Sequence, residues 1–288
     1  MRRPTPVRQR GFGLLAFVLL TAAVALSLVV GFAGTMVRSH HNMLVERNNG
    51  WLKEQAQRIQ DLWRLEAFRL DEASASNPYT AASVLSAAGV TPRWDAEARL
   101  SRVLLKDGLS YRVLVLYMPS ESDAANPPNW ARFDATGEFQ PCGNMGANCA
   151  ERQFVVISSL ELQQEMAREA RARLTQAAYR AQTFFKARLM LDPERNVSVN
   201  YFRVSSGSCS GSSALEVGCL DTYQSLVDAE RSAVALGLQG DDLVSPWGRP
   251  IEASNLLDSE SEMPPFTMSF RTRTPAGTYL YVKATQPL

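Results

Sequence analysis

The feature that most constrains this chain is a run of 26 residues, Phe12 to Val37, that contains no charge. At 1.5 Å per helical residue such a run reaches ~39 Å, more than the ~30 Å hydrocarbon core of a bilayer. A single segment crossing lipid must satisfy its own N–H and C=O groups, so a helix is the form expected. Secretory signals carry a shorter apolar stretch of ~7–15 residues and a small-residue cleavage site. This run overshoots that length and does not end in A-x-A, so 12–37 is expected to be a retained transmembrane helix. Ahead of it stand Arg2, Arg3, Arg8 and Arg10 with no acid. The positive-inside bias then keeps the N-terminus cytoplasmic and exports everything beyond Val37.

Beyond the four leader arginines, 26 Lys and Arg face 29 Asp and Glu, a net of −3. No basic excess points to nucleic acid. Cys142, Cys149, Cys209 and Cys219 all fall in the part expected to be exported, where an oxidising compartment permits disulfides. Neither local spacing is the C-x-x-C of a zinc or redox motif. Three connectivities are open; local pairing, Cys142 with Cys149 and Cys209 with Cys219, is the one expected, each closing a short Gly/Asn/Ser-rich loop.

Periodicity then divides the exported part. Val37, Leu44, Leu52, Ala56, Ile59 and Trp63 recur at helical steps with charges between them, which predicts an amphipathic continuation over 38–76, closed by Asn77-Pro78. A short helical patch near 81–88 precedes RVLLKDG and SYRVLVLYM, two strand-like runs around Asp107-Gly108, the pair most diagnostic of a tight hairpin. Short strands are expected at ARFD and QFVVIS. A second long helix follows from Ser159 to about Leu191, with a stripe through Leu162, Met166, Ala170, Leu174, Ala177, Ala178, Ala181, Phe185 and Leu189, ended by Asp192-Pro193. After it come a strand at VSVNYFRV, a helix near 223–236, the turn SPWGRPI, and a closing hairpin of FTMSFRTR and TYLYVKA around Thr274–Gly277. The expected fold class is α+β: the long N-terminal helix followed by two successive helix-plus-antiparallel-sheet modules, 77–157 and 158–288.

The string RQRGFGLLAFVLL resembles the start of a type IV pilin-like precursor, with a basic leader over 1–11 ending in Gly11, an aromatic Phe12, and a long apolar helix directly behind. LVSPWGRPI, Leu243 to Ile251, is similar to the D-P-W-G-x-P turn of many pseudopilins. The resemblance implies that a prepilin peptidase cuts between Gly11 and Phe12, that Phe12 becomes N-methylated, and that the helix passes from the inner membrane into a filament with other pilin or pseudopilin subunits. Type IV pilus, type II secretion and conjugative pilus machines all fit. Ala16 stands where the family usually has a Glu, Gly13 where it usually has a Thr, and Ser245 where many members have Asp. In the family that Glu is thought to pair with the N-terminal ammonium of a neighbour, and an unpaired buried charge is costly. Its absence points to a minor subunit at or near a tip, and Ser245 argues against a family calcium site. The alternative is an uncleaved bitopic inner-membrane protein whose periplasmic domain binds partners, as an assembly-platform or sensor component.

Ala23, Ser27, Gly31 and Thr35 lie four apart on one face of the anchor, a small-residue row of the kind that lets helices approach closely. No catalytic, cofactor or metal site is expected, and no small-molecule substrate. Gly207-Ser208-Cys209-Ser210-Gly211 has the form of a nucleophile elbow, but the only histidines are His40 and His41 at the membrane exit. Those two are adjacent on a helix, about 100° apart, a poor arrangement for joint ligation. The acidic run Asp258, Glu260, Glu262 lacks the ligand alternation and Gly of a calcium loop, and Asn196-Val197-Ser198 matches a glycosylation sequon by pattern alone.

Overall fold

The computed structural model describes residues 10–74, 78–93, 96–118, 132–134, 137, 139–140, 153–202, 223–254 and 264–287. The four cysteines, Gly207–Gly211 and the acidic run at 258–262 lie outside these residues. One helix, α1 (Arg10–Leu70), carries both the uncharged run and the amphipathic stretch. Residues 1–54 and 55–288 form two compact units.

In the first unit the side chains from Phe17 to Val37 are exposed on every face of the helix. A helix apolar all round is matched to lipid rather than to water. Among the described residues α1 is the one helix long and apolar enough to cross a membrane. Its hydroxyls are satisfied within the helix: Ser27 Oγ donates to the Val24 carbonyl at 2.8 Å and Thr35 Oγ1 to the Phe32 carbonyl at 2.8 Å.

The second unit is mixed helix and sheet, so the chain is α+β. After α1 comes the short helix α2 (Ala81–Ala87), started by a capping box: Ser83 N–H donates to Thr80 Oγ1 at 3.2 Å and Thr80 N–H to Ser83 Oγ at 2.9 Å. Strands β1 (Glu97–Leu100), β2 (Leu104–Lys106), β3 (Leu109–Tyr111) and β4 (Val113–Tyr117) follow, then the two-residue strands β5 (Arg132–Phe133) and β6 (Phe139–Gln140), and β7 (Phe154–Ser158). The first sheet has the order β1-β4-β7, all antiparallel, with β4 at its centre. All five residues of β4 are buried. Val113, Val115 and Tyr117 on one face pack with Leu104, Tyr111, Phe133 and Phe139. As Asp107-Gly108 predicts, β2 and β3 form a hairpin, and both turn residues have positive φ, 52° and 76°, the signature of a type I′ turn.

Helix α3 (Leu160–Leu191) matches the second predicted long helix. Beyond it lie β8 (Gln224–Ser225), α4 (Glu230–Ala235), β9 (Glu252–Ser254), β10 (Thr267–Arg273) and β11 (Tyr279–Thr285). The second sheet runs β11-β10-β9-β8, antiparallel throughout, and β10 with β11 is the predicted closing hairpin. The main core lies between α3 and this sheet: Leu174, Ala177, Ala181 and Phe185 meet Ala253, Met268, Phe270 and Ala284. Small side chains on α3 bring the helix backbone close to the strands, leaving the bulk of the core to aromatic residues such as Phe270 and Phe202.

Three expectations are corrected. The helical continuation predicted over 38–76 ends at Leu70. The strand expected at VSVNYFRV is absent over Val197–Phe202, which is a series of turns. The cause is local: Asp192 carboxylate oxygens accept from the Glu194 and Asn196 N–H groups at 3.1 and 3.3 Å, Asn196 Oδ1 from Ser198 N–H at 2.9 Å, and Asn200 Oδ1 from Phe202 N–H at 3.0 Å. Asx side chains thus take the donors that a sheet ladder needs. The short helix expected near 223–236 is present but confined to the second half of that span, as the six-residue α4, with β8 and a turn ahead of it.

Candidate functional site

Gly11 and Phe12 lie in the first turn of α1, next to Arg10. Ala23, Ser27, Gly31 and Thr35 are exposed. A Cβ added at Gly31 would meet nothing within 4 Å, so no packing among the described residues demands a glycine there. His40 is exposed on the same helix, and among the described residues no three His, Cys, Asp or Glu side chains converge on a metal-sized site. Asn196 is exposed in the turn after α3.

The strongest chemistry in the second unit lies elsewhere, in a buried polar network at the end of α1. Ile59, Trp63, Ala67 and Asp71 follow one another at steps of four, and all four are buried. The Asp71 carboxylate accepts from Trp63 Nε1 at 3.2 Å and from Gln163 Nε2 at 2.7 Å. Gln163, in the first turn of α3, also donates to the Ala67 carbonyl at 3.2 Å, and its Oε1 accepts from Trp247 Nε1 at 2.9 Å. Every hydrogen-bonding position of that amide but one lone pair is used. Ser110 Oγ on β3 donates to the Asp71 carbonyl oxygen at 2.6 Å. Ser159 adds a hydrogen bond to the carboxylate, and its Oγ accepts from the Arg112 N–H at 3.0 Å.

Burial dominates the electrostatics. Asp71 is fully enclosed, and loss of hydration pushes its carboxyl up to about 6 against the pull of Ser159, Gln163, Trp63 and the Arg112 charge. The same burial lowers the Arg112 guanidinium, with Asp71 opposing the shift. Arg112 donates to the Tyr79 carbonyl at 3.1 Å. The network therefore ties α1, the β2–β3 hairpin, α3 and the SPWG turn together as a structural joint.

Trp247 reaches this network from a tight loop. Gly248 N–H donates to the Ser245 carbonyl at 2.8 Å, Ser245 N–H to the Arg249 carbonyl at 2.7 Å and Ile251 N–H to the Leu243 carbonyl at 2.8 Å. Pro246 occupies the second turn position that its fixed φ suits, and Gly248 has φ 69°. The indole is held between Ala67 and Phe68 of α1 and Met166, Ala167 and Ala170 of α3.

Two open concavities flank the joint. One, of about 270 Å³, is lined by Gln60, Trp63, Arg64, Ser159, Glu161 and Glu165 among others. The other, of about 430 Å³, lies between Arg64–Arg69 and Pro246–Arg249. Comparison of the chain with protein-family models, with curated proteins and with solved structures returns no match.

The sequence pattern points to neither Asp71 nor Gln163. It places the α3 stripe on Leu162, whereas Leu162 is only half-buried and Gln163 is fully buried. The available cue was a polar residue in phase with Met166, Ala167 and Ala170, and Asp71 in phase with Ile59, Trp63 and Ala67.

Proposed function

We propose that this chain is a non-enzymatic minor pilin or pseudopilin, processed between Gly11 and Phe12 by a prepilin peptidase and assembled at or near the tip of a filament. The machine is a type IV pilus, type II secretion or conjugative pilus system. The observation that carries the reading is the junction itself: a basic leader, Gly11-Phe12, and one helix that leaves its apolar half exposed on all sides before continuing into an α+β head. In this reading 12–37 is the anchor in the inner membrane, the N-terminus is cytoplasmic, and the head is periplasmic or extracellular. The head comprises two helix-plus-sheet modules, 77–157 and 158–288. The exposed row Ala23, Ser27, Gly31, Thr35 packs against other subunits, where close backbone approach rewards small side chains. Supporting that role, all four residues are exposed and the space around Gly31 is open.

The mature N-terminus tests the proposal. Mass spectrometry of the purified protein is expected to find N-methylated Phe12 at the N-terminus, and Gly11→Val to leave the leader attached. A mature protein beginning at Met1 or Arg2 would replace this reading with that of an uncleaved bitopic membrane protein. Tip position has its own test: a labelled head is expected at one end of sheared filaments, and uniform labelling along the shaft would refute it.

A further inference from the structure

The 430 Å³ cleft between the end of α1 and the SPWG turn joins an apolar wall to a cluster of arginines. Its walls are apolar at Leu65, Phe68, Pro246 and Trp247, with Leu65 83% exposed. Its charged members are Arg64, Arg69 and Arg249 against one acid, Glu66. The surrounding unit is acidic overall, with 23 Lys and Arg against 27 Asp and Glu over residues 55–288, a net of −4. The cation density of the cleft is therefore a local feature.

Arg249 makes the cleft more than a charged surface. Its guanidinium stacks over the Phe68 ring at 4.8 Å, its Nε is buried without a hydrogen-bond partner, and no acid among the described residues pairs with it. A buried donor left unmade is costly, and more so on a charged group. Of the other two arginines, Arg64 pairs with Asp61 at 3.5 Å and Arg69 with Glu66 at 3.6 Å, each on an exposed side chain. Beside them α1 departs from helical geometry at Glu66, with φ −118° and ψ 22°.

We propose that this cleft is a docking site for an acidic segment of a partner protein. A Glu or Asp carboxylate of that segment meets Arg249 and Arg69, and an adjacent Leu or Phe side chain covers Leu65 and Pro246. Charge complementarity selects the acid, since guanidinium forks match planar carboxylates in a bidentate manner. The exposed apolar wall selects a peptide over a small free anion. The assignment is independent of how the N-terminus is processed.

The test uses the full-length protein in detergent micelles and a dye-labelled Leu-Glu-Phe-Glu peptide, followed by fluorescence anisotropy. Saturable binding is expected, weakened about tenfold or more when both peptide Glu residues become Gln, and by a similar factor in Arg69→Gln and Arg249→Gln. Arg69 is solvent-exposed, so its variant keeps the fold if Arg249→Gln does not. Leu65→Ser is expected to weaken binding, and Arg188→Gln, on the distant end of α3, to leave it unchanged. Equal binding of the Glu and Gln peptides, an unaltered Arg69→Gln, complete displacement by equimolar inorganic phosphate, or no saturable binding would each overturn the assignment.

Discussion

Replacing Asp71 with Asn separates the charge of the buried network from its shape. In the folded chain burial raises this carboxyl from 3.8 to about 6. Between those two values the folded state holds a proton that the unfolded chain has released, so the free energy of unfolding falls as pH rises through the window. The stabilising contribution is complete below 3.8 and is lost by the time pH has passed about 6. A shift of this size, at ~1.4 kcal/mol per pH unit, corresponds to about 3 kcal/mol. Asn cannot titrate, and it offers one carbonyl oxygen where Trp63 and Gln163 present two donors, a mismatch of about 1–3 kcal/mol. Asp71→Asn is therefore expected to be less stable than the parent at pH 4, with the gap closing or reversing by pH 7.5. Urea unfolding of the full chain in micelles reports this through tryptophan fluorescence, since Trp63 and Trp247 both donate into the network. Contributions of other carboxylates cancel in the difference between the two profiles. Parallel profiles would refute the reasoning, because they would mean that Asp71 titrates alike in the folded and unfolded chain.

Gln163→Leu fills the same space but leaves the Trp247 indole N–H without its acceptor and removes a donor from Asp71, so a loss of about 3 kcal/mol is expected in the same unfolding assay. Ala177→Leu, at a fully buried position of α3 facing the second sheet, is expected to cost about 1–3 kcal/mol by overpacking; an unchanged urea midpoint would show that α3 stands off from the strands. Peptide mapping of the unreduced protein is expected to join Cys142 to Cys149 and Cys209 to Cys219, and crossed peptides would show that the two predicted modules are covalently interlocked.

What the sequence made legible was whatever has a local cause. Asp107-Gly108 specifies its own turn through two positive φ values, and the stripe from Met166 to Phe185 needs only helical spacing to declare a buried face. The strand expected at Val197–Phe202 failed because Asp192, Asn196 and Asn200 bind the backbone donors nearest to them, a competition that hydrophobic alternation does not reveal. The joint was hidden for the opposite reason. Asp71 and Gln163 are 92 residues apart, and either alone looks like one more polar residue on a helix. The apolar cleft wall at Leu65 was equally hidden, since the loop that faces it comes from Pro246–Arg249.

The separation of those partners also has a consequence in time. As the chain is made, Asp71 appears 92 residues before Gln163, an interval of about 5–20 s at ordinary synthesis rates. Trp247 comes 84 residues later again. Until both arrive, the end of α1 presents a carboxylate whose joint is incomplete. The first half of the head therefore has to wait for the second. A nascent chain that ends before the SPWG turn still lacks the Trp247 indole that closes the joint, and one that ends before β10 and β11 lacks the strands that complete the main core, so the head closes only when nearly the whole chain is made.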